Sequence, residues 1–221
     1  MSIVWAILRK DLVTEWRRRD RVAAMLVFSL LVVVVFHFAL PNRATDQAPA
    51  GAPGLLWLAY VFAALLGLNR AFALELENDA LSALALAPGD RGWVFLGKAA
   101  SSFALIGVVQ AVTAAAFALV FEIDLIAAAP RLAGVVALGT LGICSVGTLF
   151  SAMAIRTRFR EVLLPILLLP ALFPILAGAV RGTAAALAGT PIPFEAIQLL
   201  IVVDGIYLIV SFLGFEYVLD E

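Results

Sequence analysis

The residues that could do chemistry in this chain are few, and the run from Gly92 to Ala99, GWVFLGKA, comes first. Its G-x-x-x-x-G-K spacing is that of a loop that cradles nucleotide phosphates, but Ala99 stands where Ser or Thr would reach magnesium. Trp93, Val94, Phe95 and Leu96 fill its middle, and no strand precedes it. The expectation is a non-catalytic chain that hydrolyses no nucleotide itself. Asp204 lies in a long apolar run, where an acid is costly and turns inward. It pairs with another helix, binds a polar substrate or relays protons. His37, the sole histidine, is either an interfacial hydrogen-bonding residue or a haem ligand. One histidine and one cysteine, Cys144, exclude a bis-histidine site, an internal disulfide and a C-x-x-C centre, and no metal site is expected. No Ser-His-Asp, H-E-x-x-H or carboxylate-pair pattern appears.

The segment from Asn69 to Lys98 carries the densest signal. Glu75, Glu77 and Asp79 give an acidic start, which suits a helix N-terminus. Leu74, Leu81 and Leu84 to Leu86 share one face, and Pro88-Gly89 ends the pattern before Arg91. A short helix with an apolar face and an acidic flank docks into a partner's groove, or it is a solvated connector.

These residues need elements to position them, and composition says which. The chain is 64% hydrophobic and 14% charged over 221 residues, with mean hydropathy +1.08. A soluble domain is about 45–50% apolar and about 25% charged. Spans of ~20 apolar residues then predict an all-α polytopic membrane protein of six transmembrane helices. They are expected at 22–40, 54–68, 99–121, 132–155, 162–180 and 196–215 of one transmembrane domain, 1–221. The first 21 residues hold six cations, no early apolar core and no cleavage site, so they are not read as a signal peptide. Trp5, Leu8, Leu12 and Trp16 repeat at three and four, which predicts an interfacial amphipathic helix. Pro165, Pro170 and Pro174 predict a kinked fifth span whose freed carbonyls are met by neighbours or water. Gly147-xxx-Ser151 predicts close helix approach. The N-terminus and the second and fourth loops hold twelve Lys and Arg, against three on the other side (Arg43, Arg131, Arg181). Both termini are therefore expected in the cytoplasm. A net charge of −1 gives no case for nucleic acid.

The order of pieces resembles a type-2 ABC exporter permease, and more specifically the haem exporter protein B family of cytochrome c maturation, CcmB. The likeness rests on KDLVTEWRRRDR (10–21), GLNRAFALELENDALSALALAPGDR with LGK after it (67–98), LLPILLLPALFPIL (163–176) and FEYVLDE (215–221). It implies a bacterial inner-membrane permease subunit, two copies of this chain, and a separate ATPase, CcmA, that binds the ATP. It further implies work beside CcmC, CcmD and the haem chaperone CcmE, with haem as cargo and no tightly bound cofactor. Residues 75–86 would be the coupling helix: Glu75, Glu77 and Asp79 would touch the ATPase, Leu81 and Leu84 would pack, and Pro88 and Arg91 would close the segment. Pro165, Pro170 and Pro174 would serve as joints. A permease for a lipid or glycan, or a membrane scaffold, is the competing expectation.

Overall fold

The structure, a computed structural model, describes residues 3–39, 51–72, 91–155, 157 and 159–220. Among them are seven helices and no strand: α1 (Ile3–Arg18), α2 (Asp20–Ala39), α3 (Ala52–Asn69), α4 (Gly92–Val120), α5 (Leu125–Ala154), α6 (Arg160–Leu187) and α7 (Phe194–Asp220). The last six are each long and apolar enough to cross a bilayer. The run Val32-Val-Val-Val35 in α2 would favour a strand in water. In hydrocarbon every backbone polar group needs a partner within the segment, so the helix wins.

Several helices extend past the bounds that apolar runs suggest. α4 starts at Gly92 rather than 99 and takes in Lys98, the one formal charge between Gly92 and Val120. Its 29 residues make a rod of about 43 Å, longer than the ~30 Å hydrocarbon layer. α5 starts at Leu125 rather than 132 and absorbs Pro130 in its second turn. The backbone N–H of Ala127 donates to Asp124 Oδ1 at 3.3 Å, a carboxylate cap that anchors the start. α6 runs to Leu187, seven residues past the expected end, and carries Arg181 as helix.

α3 and α5 are the inner helices of the bundle, and α2 lies on its outside against α3 and α4. Glycines on α5 set the close approaches. At 139 a Cβ would meet the Trp57 ring, at 142 Asp204 and Ile175, and at 147 Leu68. The Gly147-xxx-Ser151 pair packs on the end of α3, where Ser151 Oγ donates to the Leu68 carbonyl at 3.0 Å. Polar side chains also bridge helices inside the bundle. Trp57 Nε1 donates to Thr183 Oγ1 and Ser29 meets Thr113, both at 2.8 Å. Such bonds stabilise membrane helix pairs by roughly 0.6–2 kcal/mol each.

α1 meets α2 at Arg19, whose φ of +59° puts a non-glycine residue in the left-handed region. The turn is held by Glu15, whose Oε1 accepts the Val22 backbone N–H at 3.0 Å. That bond satisfies one orphan donor at the start of α2. Glu15→Ala should cost about 1 kcal/mol, whereas Glu15→Gln keeps the acceptor and should cost little. Thermal unfolding of the two variants in detergent checks the difference.

Candidate functional site

Six of the expected coupling residues, Glu75, Glu77, Asp79, Leu81, Leu84 and Pro88, lie outside the described residues. Both roots of their segment are described. Ala71 and Phe72 follow α3, and Arg91 caps α4. Lys98, two turns into α4, is 1% exposed and binds both α1 and the α3 root. Its Nζ lies 3.1 Å from Asp11 Oδ2 and donates to the Ala71 carbonyl at 3.0 Å. The ammonium also sits 5.0 Å from the centre of the Phe72 ring. Ser101, one turn further along α4, donates to the same Asp11 oxygen at 3.0 Å. Three chain segments thus meet at one buried charge.

Electrostatics explains why the cluster holds. Burial pushes the Asp11 carboxyl up, but Lys98 and Lys10 outweigh it and hold the carboxyl below its ordinary value. Lys10 is the outer partner, 3.0 Å from Asp11 Oδ1 and half exposed. A buried ion pair is secure only when its remaining donors and lone pairs are met. Here the Ala71 carbonyl, Ser101 hydroxyl and Phe72 ring meet them. Around this cluster Phe72, Phe95 and Phe215 stack, with Phe215 5.7 Å from Phe95 and 6.2 Å from Phe72. α7 therefore joins α1, α3 and α4 at the same end of the bundle. Arg91 adds a bond from Nη1 to the Glu216 carbonyl at 3.3 Å.

The interfacial reading of α1 is refined by this geometry. Ile7 is buried on α4, where it would meet a Cβ at 97, and Asp11 lies on the same side. Trp5 and Trp16 point outward, Trp16 at 76% exposure. The tryptophan face is the free face, as a headgroup-facing surface requires. The run Gly92–Ala99 is two turns of α4 whose lysine is already bound, not a loop open to phosphate.

The other sequence candidates stand apart from this cluster. Asp204 is inward and 2% exposed, yet neither carboxylate oxygen has a hydrogen-bond partner among the described residues. The pairing expected of it is absent there; it packs instead where Gly142 of α5 leaves room. His37 is exposed at the end of α2 and stands edge-on to Phe38 and Phe121, with ring centres at 5.5 and 6.0 Å. Pro165, Pro170 and Pro174 all sit within a continuous α6, off the face formed by Leu164, Leu168, Leu172 and Ile175. Tyr207 of α7 donates to the Ala171 carbonyl at 2.6 Å, which ties α7 to this stretch of α6.

Sequence reasoning met Lys98 in a phosphate-loop-like spacing and in the LGK run, and Arg21 among the N-terminal cations, and placed neither in a buried bond. Arg21 is buried too, with Nη2 donating to Ser102 Oγ at 3.1 Å. The available signal was a lone lysine in an apolar helix, with Ser101 one turn on and Asp11 on the amphipathic segment.

The family model described as CcmB protein matches residues 2–215. The heme exporter protein B of Paracoccus denitrificans is 32% identical over 184 residues, 81% of this chain and 83% of that protein. That of Rhodobacter capsulatus is 32% identical over 174 residues, 77% and 78% of the two chains. That of Bradyrhizobium diazoefficiens is 26% identical over 200 residues, 89% and 87%. With six long apolar helices, and a family match spanning nearly its whole length, this chain belongs to the CcmB family.

Proposed function

We propose that this chain is the membrane-spanning subunit of an ABC transporter complex that handles haem in c-type cytochrome maturation. The relatives' name, heme exporter protein B, supports the haem system. ATP is bound and hydrolysed by a separate subunit, CcmA, while this chain moves. Two copies form the membrane part, in the bacterial inner membrane, with both termini in the cytoplasm and CcmC, CcmD and CcmE alongside.

The observation that carries the coupling is that the α3 root of segment 73–90 is bonded at Ala71 to Lys98 of α4, the helix that begins at the other root, and through Lys98 to Asp11 of α1. A push on that segment reaches α1, α3, α4 and α7 through one buried cluster. Glu75, Glu77 and Asp79 take the ATPase contact, Leu81 and Leu84 pack under it, and Pro88 and Arg91 close the segment. Mechanical release of the haem-loaded chaperone is favoured over passage of haem through this chain. Release needs only the push, and the sole histidine stands at an exposed helix end, edge-on to phenylalanines. Pro165, Pro170 and Pro174 let α6 bend in the stroke.

The test is purification of the tagged chain in mild detergent, with and without Glu75→Lys and Glu77→Lys together. The wild type should bring down an ATPase and haem-handling subunits, and the double variant should lose the ATPase. Recovery of the chain alone from several detergents would remove the ATP-coupled reading.

A further inference from the structure

α1 packs on the bundle with one side only, chiefly against α4. Ile7 and Asp11 lie on that side. The other half of the helix is uncovered: Trp5, Arg9, Lys10, Val13, Trp16 and Arg17 are all exposed. At 3.6 residues per turn this half divides into two flanks. Trp5 and Trp16 share one flank with the half-buried Leu8 and Leu12. Lys10 and Arg17 lie on the other, with Arg9 and Val13 between the two.

The charge on this half is of one sign. The acids of α1 are Asp11 and Glu15. Asp11 is committed to Lys98 and Lys10, and Glu15 accepts the Val22 backbone N–H. Arg9, Arg17 and Arg19 are exposed and have no ion pair among the described residues, even with Asp20 exposed at the start of α2. Arg19 folds back on the tryptophan flank. Its guanidinium carbon is 5.5 Å from the centre of the Trp16 ring, and its Nε donates to the Trp16 carbonyl at 3.3 Å. Both of its Nη groups are left for an outside acceptor.

The level of α1 on the bundle says what that acceptor is. α1 docks at Lys98 and Ser101, within the first three turns of the 29-residue α4. At about 43 Å that helix outruns the ~30 Å hydrocarbon layer, so its charged end lies at the boundary of the layer. A flank of tryptophan and leucine beside a flank of arginine fits this boundary, where acyl chains meet phosphates. A zwitterionic headgroup carries its own cation, whereas uncompensated arginines at a membrane surface favour anionic lipid. We propose that the free half of α1 binds anionic phospholipid, with Arg9, Arg17 and Arg19 on the phosphates and Trp5 and Trp16 at the acyl boundary. Lipid charge then holds in place the helix that brings Asp11 to Lys98. This goes beyond the permease reading and does not depend on it.

The full-length chain in phosphatidylcholine nanodiscs provides the test. Part of the lipid is replaced by phosphatidylglycerol, or by phosphatidylcholine, brominated near the headgroup end of its acyl chains, so that it quenches tryptophan beside it. At equal fractions the phosphatidylglycerol should quench more strongly, and Trp5→Phe with Trp16→Phe should remove the difference. Raising the salt from about 0.01 M to about 1 M should shrink it, as the screening length falls from about 30 Å to about 3 Å. Arg9→Gln, Arg17→Gln and Arg19→Gln should each lower the preference by up to about fivefold. The three together should abolish it, while lysine at the same positions should keep most of it. The single variants carry the test if the triple variant folds poorly. Arg181→Gln, near the other end of the bundle, should leave the preference unchanged. Equal quenching by the two lipids overturns the proposal. So does a preference that survives the glutamine variants, or one that falls as far with Arg181→Gln as with Arg17→Gln. Loss of the preference to soluble glycerophosphoglycerol at matched ionic strength also overturns it, since the site would then take free anions rather than lipid.

Discussion

Asp11→Ala is expected to be among the most damaging single substitutions, at about 3–5 kcal/mol, because it strands a buried ammonium. Lys98 would keep the Ala71 carbonyl and the Phe72 ring but lose its counter-charge while 1% exposed. Lys98→Met should cost less, since Asp11 retains Lys10 at 3.0 Å and the Ser101 hydroxyl. The double variant should recover much of the loss, because an apolar replacement removes both desolvation costs together. A double-mutant cycle, read by unfolding in mixed micelles, measures the pair directly. Equal losses for the two single variants, with simple addition in the double, would show that the pair contributes nothing. Stability and coupling then separate in one strain series. If the cluster transmits the proposed stroke, the double variant should fold and still co-purify with the proposed ATPase subunit, yet lose c-type cytochrome output.

The same cluster has a pH signature. The Asp11 carboxyl is held below its ordinary value, which is about 3.9 in an unperturbed peptide. A depressed acid contributes stability that is complete above the unfolded value and lost as pH falls through the folded one. The contribution of Asp11 should therefore be level from pH 5 to 8 and fade only below about pH 4. Unfolding midpoints of wild type and Asp11→Asn, compared across that range, should stay a constant distance apart until the acid limb.

How much of this was legible beforehand depends on the residue. The six apolar runs and the amphipathic start are one-dimensional signals, and they predicted six spans and an interfacial helix. Helix ends were not legible at Gly92 and Leu125. There Lys98, Pro130 and Arg131 resemble stops, and what carries the helix through is tertiary or capping: Asp11 for Lys98, Asp124 for the start of α5. The Asp11–Lys98 cluster escaped notice because its two residues are 87 residues apart. Each alone reads as a surface charge. Asp204 was visible as an anomaly. Its surroundings were not, because a glycine on another helix carries no sequence mark of what it faces.

That glycine gives the second large effect. Gly142→Val should destabilise the bundle by about 3 kcal/mol or more, the upper range for overpacking. A Cβ there would overlap Asp204 Oδ1 and come within 2.7 Å of Ile175 Cδ1, so α6 and α7 are both pushed from the central helix. Gly134→Val is the control on the same helix, since a Cβ at 134 meets nothing within 4 Å and the position is exposed. It should unfold close to wild type. The pair Gly142→Ala and Asp204→Ala then tests what the buried acid does. Asp204→Ala vacates the space that the new methyl needs, while the Ile175 end is free to rotate away. The double variant should therefore be more stable than Gly142→Ala alone, by thermal unfolding in detergent. If c-type cytochrome output returns with stability, the acid is a space-filling element of the α5–α7 contact. If stability returns and output does not, the carboxyl itself acts in the cycle.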